Sequence, residues 1–241
     1  MPELGGETPL EVCLSEAAQA GYAGVELGNK FPRQADKLRP ILERHGLALV
    51  SGWYSGRLLT RDLAQEKEAV EDHLALLTAM GCSVMVFAEV SGCIHGDRQM
   101  PLSRRPILRE ADWRTFGRRL TEMAKYLAGR GIALAFHHHM GTVVQSAEDV
   151  DRLMANTGDE VRLLLDTGHL TFAGADPVRF ASDYAARINH VHCKDVRPDV
   201  LKEALGGDWS FLNAVLAGVY TVPGDGCVDY AAVLSPLARV G

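Results

Sequence analysis

The sequence predicts an α/β fold of the (β/α)8 TIM-barrel type, truncated to six strands with the first and eighth missing. Three observations lead there. Short apolar runs alternate with amphipathic stretches and Gly-rich joints, the pattern of repeated βα units. The 241 residues, 47% of them hydrophobic, can bury a full core and approach the roughly 250 typical of one barrel. Three polar clusters, Ala135–Gly141 (AFHHHMG), Leu165–His169 (LDTGH) and His190–Asp195 (HVHCKD), each end an apolar run. Consecutive strands thus deliver imidazoles and carboxylates at their carboxyl ends, where parallel barrels carry their active sites.

The elements follow in order. Thr8 caps a helix to Ala20, with Pro9 in its first turn and Leu10, Leu14, Ala17 and Ala18 as its apolar face. A strand at 24–28 leads to a helix at about 35–45 that Gly46 stops. A strand at 47–51 precedes a helix at about 63–80, and a strand at 83–89 precedes a helix at 112–130. Between those last two lies a loop from Val90 to about Ala111, carrying Cys93, His95, Asp97 and Arg98. It exceeds ordinary βα connections and is expected to be a lid. Strands at 132–137, 161–166 and 189–194 alternate with helices at 147–155 and 177–187; a weaker helical stretch at 200–217 and a final helix at 230–239 complete the chain.

The count is six strands, whereas closure needs eight. A helix-first, helix-last pattern favours a barrel cut at both ends over a smaller open α/β sheet, and residues 1–241 are read as one incomplete domain. Its exposed edges would open a route to a homo-oligomer, and such a chain is expected to be a poor catalyst.

A formal net charge of −6 argues against nucleic acid as a partner, and no apolar run approaches a membrane span. Five scattered cysteines without a C-x-x-C pair, and an amino terminus without a leader pattern, fit a cytoplasmic location. Dinucleotide, Walker, G-x-S-x-G and H-E-x-x-H signatures are missing.

Alternation places Ala133, Ala135, His137 and His139 on one face and Leu134, Phe136 and His138 on the other. Small residues suit a barrel interior, so His137 and His139 are expected to face the mouth. Asp166 follows three leucines, where a carboxylate is costly unless paired or metal-bound. His169 is placed in the next turn. His190, His192 and Lys194 share a face, with His192 the better ligand and His190 a core histidine. Glu26, Glu89 and Trp53 also end apolar strands. Histidine and carboxylate donors select manganese, cobalt, iron or zinc over calcium.

The stretches His137–Gln145 (HHHMGTVVQ), Leu163–Gly174 (LLLDTGHLTFAG), His190–Arg197 (HVHCKDVR) and Val222–Gly226 (VPGDG) resemble the myo-inosose-2 dehydratases, members of the xylose-isomerase-like superfamily. So do Pro2–Gly6 (PELGG), Val25–Pro32 (VELGNKFP), Gly52–Gly56 (GWYSG) and Gly92–Arg98 (GCIHGDR). The resemblance spans essentially the whole chain. It implies loss of water from 2-keto-myo-inositol (scyllo-inosose) to give a trihydroxycyclohexane-dione in inositol catabolism, with Mn2+ or Co2+ as the metal. Superfamily ligands follow the fifth to eighth strands, and Asp166 and His192 match the middle two. His137 stands where the first carboxylate would, the fourth ligand falls beyond Gly241, and the family has a strand ahead of Pro2.

For that reaction Glu89 is the first candidate base and His139 the second, and His169 or Lys194 is the acid. Glu26, Trp53, His95 and Arg98 are expected to bind the polyol ketone. A metal-dependent ketose epimerase and an inactive fragment are the rival readings.

Overall fold

The structure is a computed structural model that describes residues 3–240; Pro2 and Gly241, where the resemblance and the strand count touch the chain ends, lie outside the described residues. The chain runs α1 (Leu10–Gln19), β1 (Gly24–Leu27), α2 (Ala35–Arg44), β2 (Ala48–Gly56), α3 (Leu63–Ala79) and β3 (Val84–Glu89). It continues through α4 (Glu110–Ala128), β4 (Ala133–His137), α5 (Ala147–Ala155), β5 (Arg162–Asp166), α6 (Thr167–Phe172), α7 (Pro177–Tyr184) and β6 (Ile188–His192). Then come β7 (Asp195–Val196), α8 (Pro198–Gly206), α9 (Phe211–Leu216), β8 (Tyr220–Thr221) and α10 (Tyr230–Leu237).

The six expected strands form one sheet in the order β1-β2-β3-β4-β5-β6, every neighbouring pair parallel. Strand alternation sorts its two faces. Met85, Phe87, Leu134, Phe136, Leu163 and Leu165 join the large core shared with the helices, among them Leu74, Leu120 and Leu127. Val86, Ala135 and Leu164 form a separate small cluster on the concave face, with Trp53 packed against it. Truncating a side chain such as Phe136, 1% exposed, would cost about 3–5 kcal/mol. Among the described residues β1 and β6 each pair on one side only, and their side chains meet across the concave face through Glu26, His190 and His192.

Several boundaries differ from the sequence reading for identifiable reasons. Pro9, not Thr8, occupies the cap position of α1, and no side chain caps that helix. Strand β2 runs past Trp53 because its first half pairs with β1 and its second with β3. The stretch at 200–217 is two helices, split where Asp208 takes a positive φ of 46°. The sequence reading missed α6 and the antiparallel ribbon of β7 and β8. Asp195 fixes that ribbon: its buried carboxylate accepts the N–H groups of Val196, Gly224, Gly226 and Val228 at 2.8–3.1 Å.

The long loop lies over the carboxyl ends of the strands, as expected. Ile94 N donates to Gly141 O at 2.9 Å just beyond β4, and Leu102 N donates to Trp209 O at 3.1 Å. Gly141 has φ 76°, and a Cβ there would come within 3.0 Å of His95 N, so glycine is what lets the loop sit down. Arg105 locks it by an ion pair to Asp149 at 2.9 Å and hydrogen bonds to the carbonyls of Thr142 and Val143.

Candidate active site

Asp166 is the hub. It ends β5 with no solvent exposure, and its Oδ1 caps α6 by accepting His169 N at 2.9 Å. Three groups converge on the other oxygen, Oδ2: His137 Nε2 at 3.4 Å, His192 Nδ1 at 3.4 Å, and Lys194 Nζ in a direct ion pair. Burial alone would raise the Asp166 pKa, but the Lys194 ammonium and the surrounding imidazoles hold it well below the usual carboxylate range.

Backbone contacts fix which imidazole nitrogen is free. His137 Nδ1 faces the carbonyl of His138, and His139 Nδ1 faces that of Met140 at 2.8 Å, so both donate through Nδ1 and present a bare Nε2. His169 is wired the other way. Its Nδ1 accepts Met140 N at 3.2 Å, leaving Nε2 to carry the proton. His192 directs Nε2 to Glu26 Oε1 at 3.0 Å, and its buried Nδ1 has no hydrogen-bond partner among the described residues.

Burial lowers the pKa values of His137, His139 and His169, so all three are neutral. Burial also opposes the charged form of His192, yet Asp166 and Glu26 outweigh it and raise the pKa above the ordinary histidine value.

Two donor pairs have the spacing a divalent cation asks for. Ligands at about 2.1 Å from one tetrahedral ion lie about 3.4 Å apart, which is the spacing of His137 Nε2 and His192 Nδ1 from Asp166 Oδ2. His137, Asp166 and His169 also bring ligand atoms within 4.8 Å of one another. His169 is the weaker third donor, because Met140 N occupies its free lone pair. Glu26, His190 and His192 form a second such triad.

Aromatic rings wall the site. Trp53 stands edge-on to His137 at 5.3 Å and to His139 at 5.5 Å, and His95 meets His139 at 5.0 Å. The loop therefore reaches the site through His95. Arg98 does not; it is exposed and docks on Asn213 of α9 at 3.1 Å.

Other sequence expectations need correction. Glu89 lies on the same face of β3 as Phe87, and its hydrogen bond comes from Ser91 N at 2.9 Å, so the structure does not bring it to the imidazoles. Burial pushes its carboxyl up to about 7. Glu26 is tied down through one oxygen: its Oε1 accepts from Ser51 Oγ at 2.7 Å, His190 Nε2 at 2.6 Å and His192 Nε2. His190, expected in the core, is half of that clasp. His169 sits inside α6 rather than in a rim turn and is 2% exposed. Sequence reasoning missed Tyr220, whose hydroxyl lies 3.3 Å from His169 Nδ1, and Phe211, packed against His139 and His169. The β-branched and aromatic run Val219, Tyr220, Thr221 and Val222 ahead of a Pro-Gly turn is the available signal for β8.

A parallel sheet with this polar cluster at its carboxyl end defines a barrel-type active site. The chain belongs to the xylose isomerase-like TIM barrel family, whose model matches residues 14–241. It is 54% identical to the rhizopine catabolism protein MocC of Rhizobium meliloti, over all of this chain and 74% of that protein. It is 41% identical to the inosose dehydratase of Geobacillus thermodenitrificans, over all of this chain and 82% of the relative. Among solved structures, the IOLI protein with a bound zinc atom superposes with a TM-score of 0.66 at 18% identity, covering 97% of this chain and 80% of that one. Among the described residues no helix is long and apolar enough to cross a membrane.

Proposed function

We propose that this protein is a metal-dependent hydro-lyase that removes water from 2-keto-myo-inositol to give a trihydroxycyclohexane-dione. The observation that carries the reading is the convergence of His137, His192 and Lys194 on one buried oxygen of Asp166, with the rings of His139 and His169 in contact beside it. Identity to inosose dehydratases supports the substrate class, and the zinc of the IOLI protein supports a divalent ion.

Asp166, His137 and His192 would hold that ion, with Mn2+ or Co2+ the proposed metals, and it would polarise the ketone oxygen as a Lewis acid. The remaining chemistry belongs to the protein's own groups. His139, neutral and with Nε2 bare, takes the proton from the carbon next to the ketone. A C=C bond forms from that electron pair as the bond to the β-hydroxyl breaks. Lys194 Nζ gives the departing hydroxyl its proton, so it leaves as water, and the resulting enol tautomerises to the dione. His169 Nε2–H is a donor to a substrate hydroxyl. The proton gained by His139 equals the one lost by Lys194, so the enzyme resets without net change. Trp53 and His95 cover the imidazoles and limit water at the reacting carbons.

A second reading draws on MocC, with its 54% identity: the polyol ketone arises in rhizopine catabolism. Incubation of the chain with Mn2+ and a panel of inososes, followed by NMR, tests both. Loss of water from the unsubstituted ketone supports the first reading. Reaction only with other ketones of the panel selects the second, and C–H inversion without water loss would replace both with an epimerase.

A further inference from the structure

Of the three groups on Asp166 Oδ2, two are imidazoles and one is an ammonium. A carboxylate with no solvent exposure is costly unless an opposite charge accompanies it. His137 Nε2 and His192 Nδ1 stand back at 3.4 Å from that oxygen, and His192 is shared with Glu26, whereas Lys194 Nζ is in direct contact. The cation seated on Asp166 is therefore that of Lys194.

The lysine's placement is built into the fold. Thr167 Oγ1 donates to the carbonyl of Lys194 at 2.7 Å and fixes its backbone against the start of α6. Gly168 clears the path of the side chain, since a Cβ there would lie 2.6 Å from Lys194 Cβ. The side chain as a whole is only partly enclosed, 34% exposed. The ammonium can swing away while its backbone stays anchored.

We propose that Lys194 is the resident counter-cation of this site, competing with a divalent ion for Asp166 Oδ2 and so setting how tightly that ion binds. This rests on the metal reading above. Both cations need the same oxygen, and at contact range their mutual repulsion in a buried site is strong. Entry of the ion displaces the ammonium from Asp166, and the freed Nζ is then available to the substrate's leaving hydroxyl. One side chain thereby couples occupancy of the site to the presence of its acid.

The test is isothermal titration of Mn2+ into the full chain, wild type against Lys194→Met, Lys194→Arg and Asp166→Asn, with Co2+ absorption spectra as a second readout. Lys194→Met should bind about tenfold or more tightly than wild type. Lys194→Arg, which keeps the charge, should stay near wild type, and Asp166→Asn should lose binding. In thermal melts Lys194→Met should start lower without metal and gain more from Mn2+. Should that variant fail to fold, Lys194→Gln, which keeps a donor to Asp166, gives the same comparison. Equal or weaker affinity without the lysine charge, with binding still lost in Asp166→Asn, would overturn the role of Lys194 alone. Failure of wild type and both neutral variants to bind Mn2+ or Co2+ would overturn the metal reading itself.

Discussion

The rings of His139 and His169 lie 4.0 Å apart, tilted by 42°, and the backbone of a single residue, Met140, sets both of their tautomers. Its carbonyl accepts from His139 Nδ1, and its N–H donates to His169 Nδ1. One ring then presents a lone pair and the other a proton. Burial and mutual repulsion prevent both from being charged together.

His139→Gln should therefore lower kcat by about 10²- to 10⁴-fold, the usual contribution of a positioned base, with KM within a few-fold of wild type. His169→Gln should raise KM more than it lowers kcat. Steady-state dehydration assays on the two variants separate these outcomes, and the reverse pattern would exchange the two roles.

His138 points to the other face of β4, fully buried near Phe180, with neither ring nitrogen hydrogen-bonded among the described residues. Burial lowers its pKa to about 3. The unfolded chain binds this proton near the ordinary value and the folded one does not, so stability falls as pH drops from about 6.5 toward 3, by up to about 1.4 kcal/mol per pH unit for this group. His138→Leu should flatten that loss in urea melts at pH 7, 5 and 4. An unchanged slope would place the acid sensitivity elsewhere.

Glu89 has the opposite sign. Its folded pKa of about 7 lies above the unfolded value, so its contribution is intact at low pH and is lost as pH rises from about 4.5 through 7. Glu89→Gln should stabilise the protein by roughly 1–3 kcal/mol at pH 8 and have little effect at pH 4.5. Melts at the two values check this, and a large loss of stability at pH 8 would contradict the placement of this carboxyl.

Arg105 holds the long loop to the start of α5 through Asp149. Arg105→Ala should cost about 1–3 kcal/mol, expose the loop between Val90 and Arg109 to proteases, and raise KM through His95. Limited proteolysis with and without substrate measures this; wild-type resistance would show that the loop is held elsewhere.

Much of the fold was legible because burial imposes period. Three leucines before Asp166, and the alternation of Ala133, Ala135 and His137 against Leu134 and Phe136, identify strands and their inner faces directly. The same rule, applied to β3, places Glu89 with Phe87 on the helix-facing side; reading it only as the end of a strand led to its assignment as base. Helix α6 escaped notice because its six residues are too few to show a helical period and begin with Thr167 and Gly168. The clasp of Glu26 with His190 joins residues 164 positions apart and depends on sheet curvature, which no local pattern reports. The tautomers set by Met140 depend on loop geometry alone.

The central claim is that Asp166 organises a metal-assisted dehydration site with His137 and His192. Its most direct test is to follow 2-keto-myo-inositol by NMR with wild type and Asp166→Asn at matched Mn2+, recording metal binding in the same samples. The account predicts dehydration and Mn2+ binding in the wild type, and loss of both in the variant with its fold intact. Undiminished turnover by Asp166→Asn would contradict it.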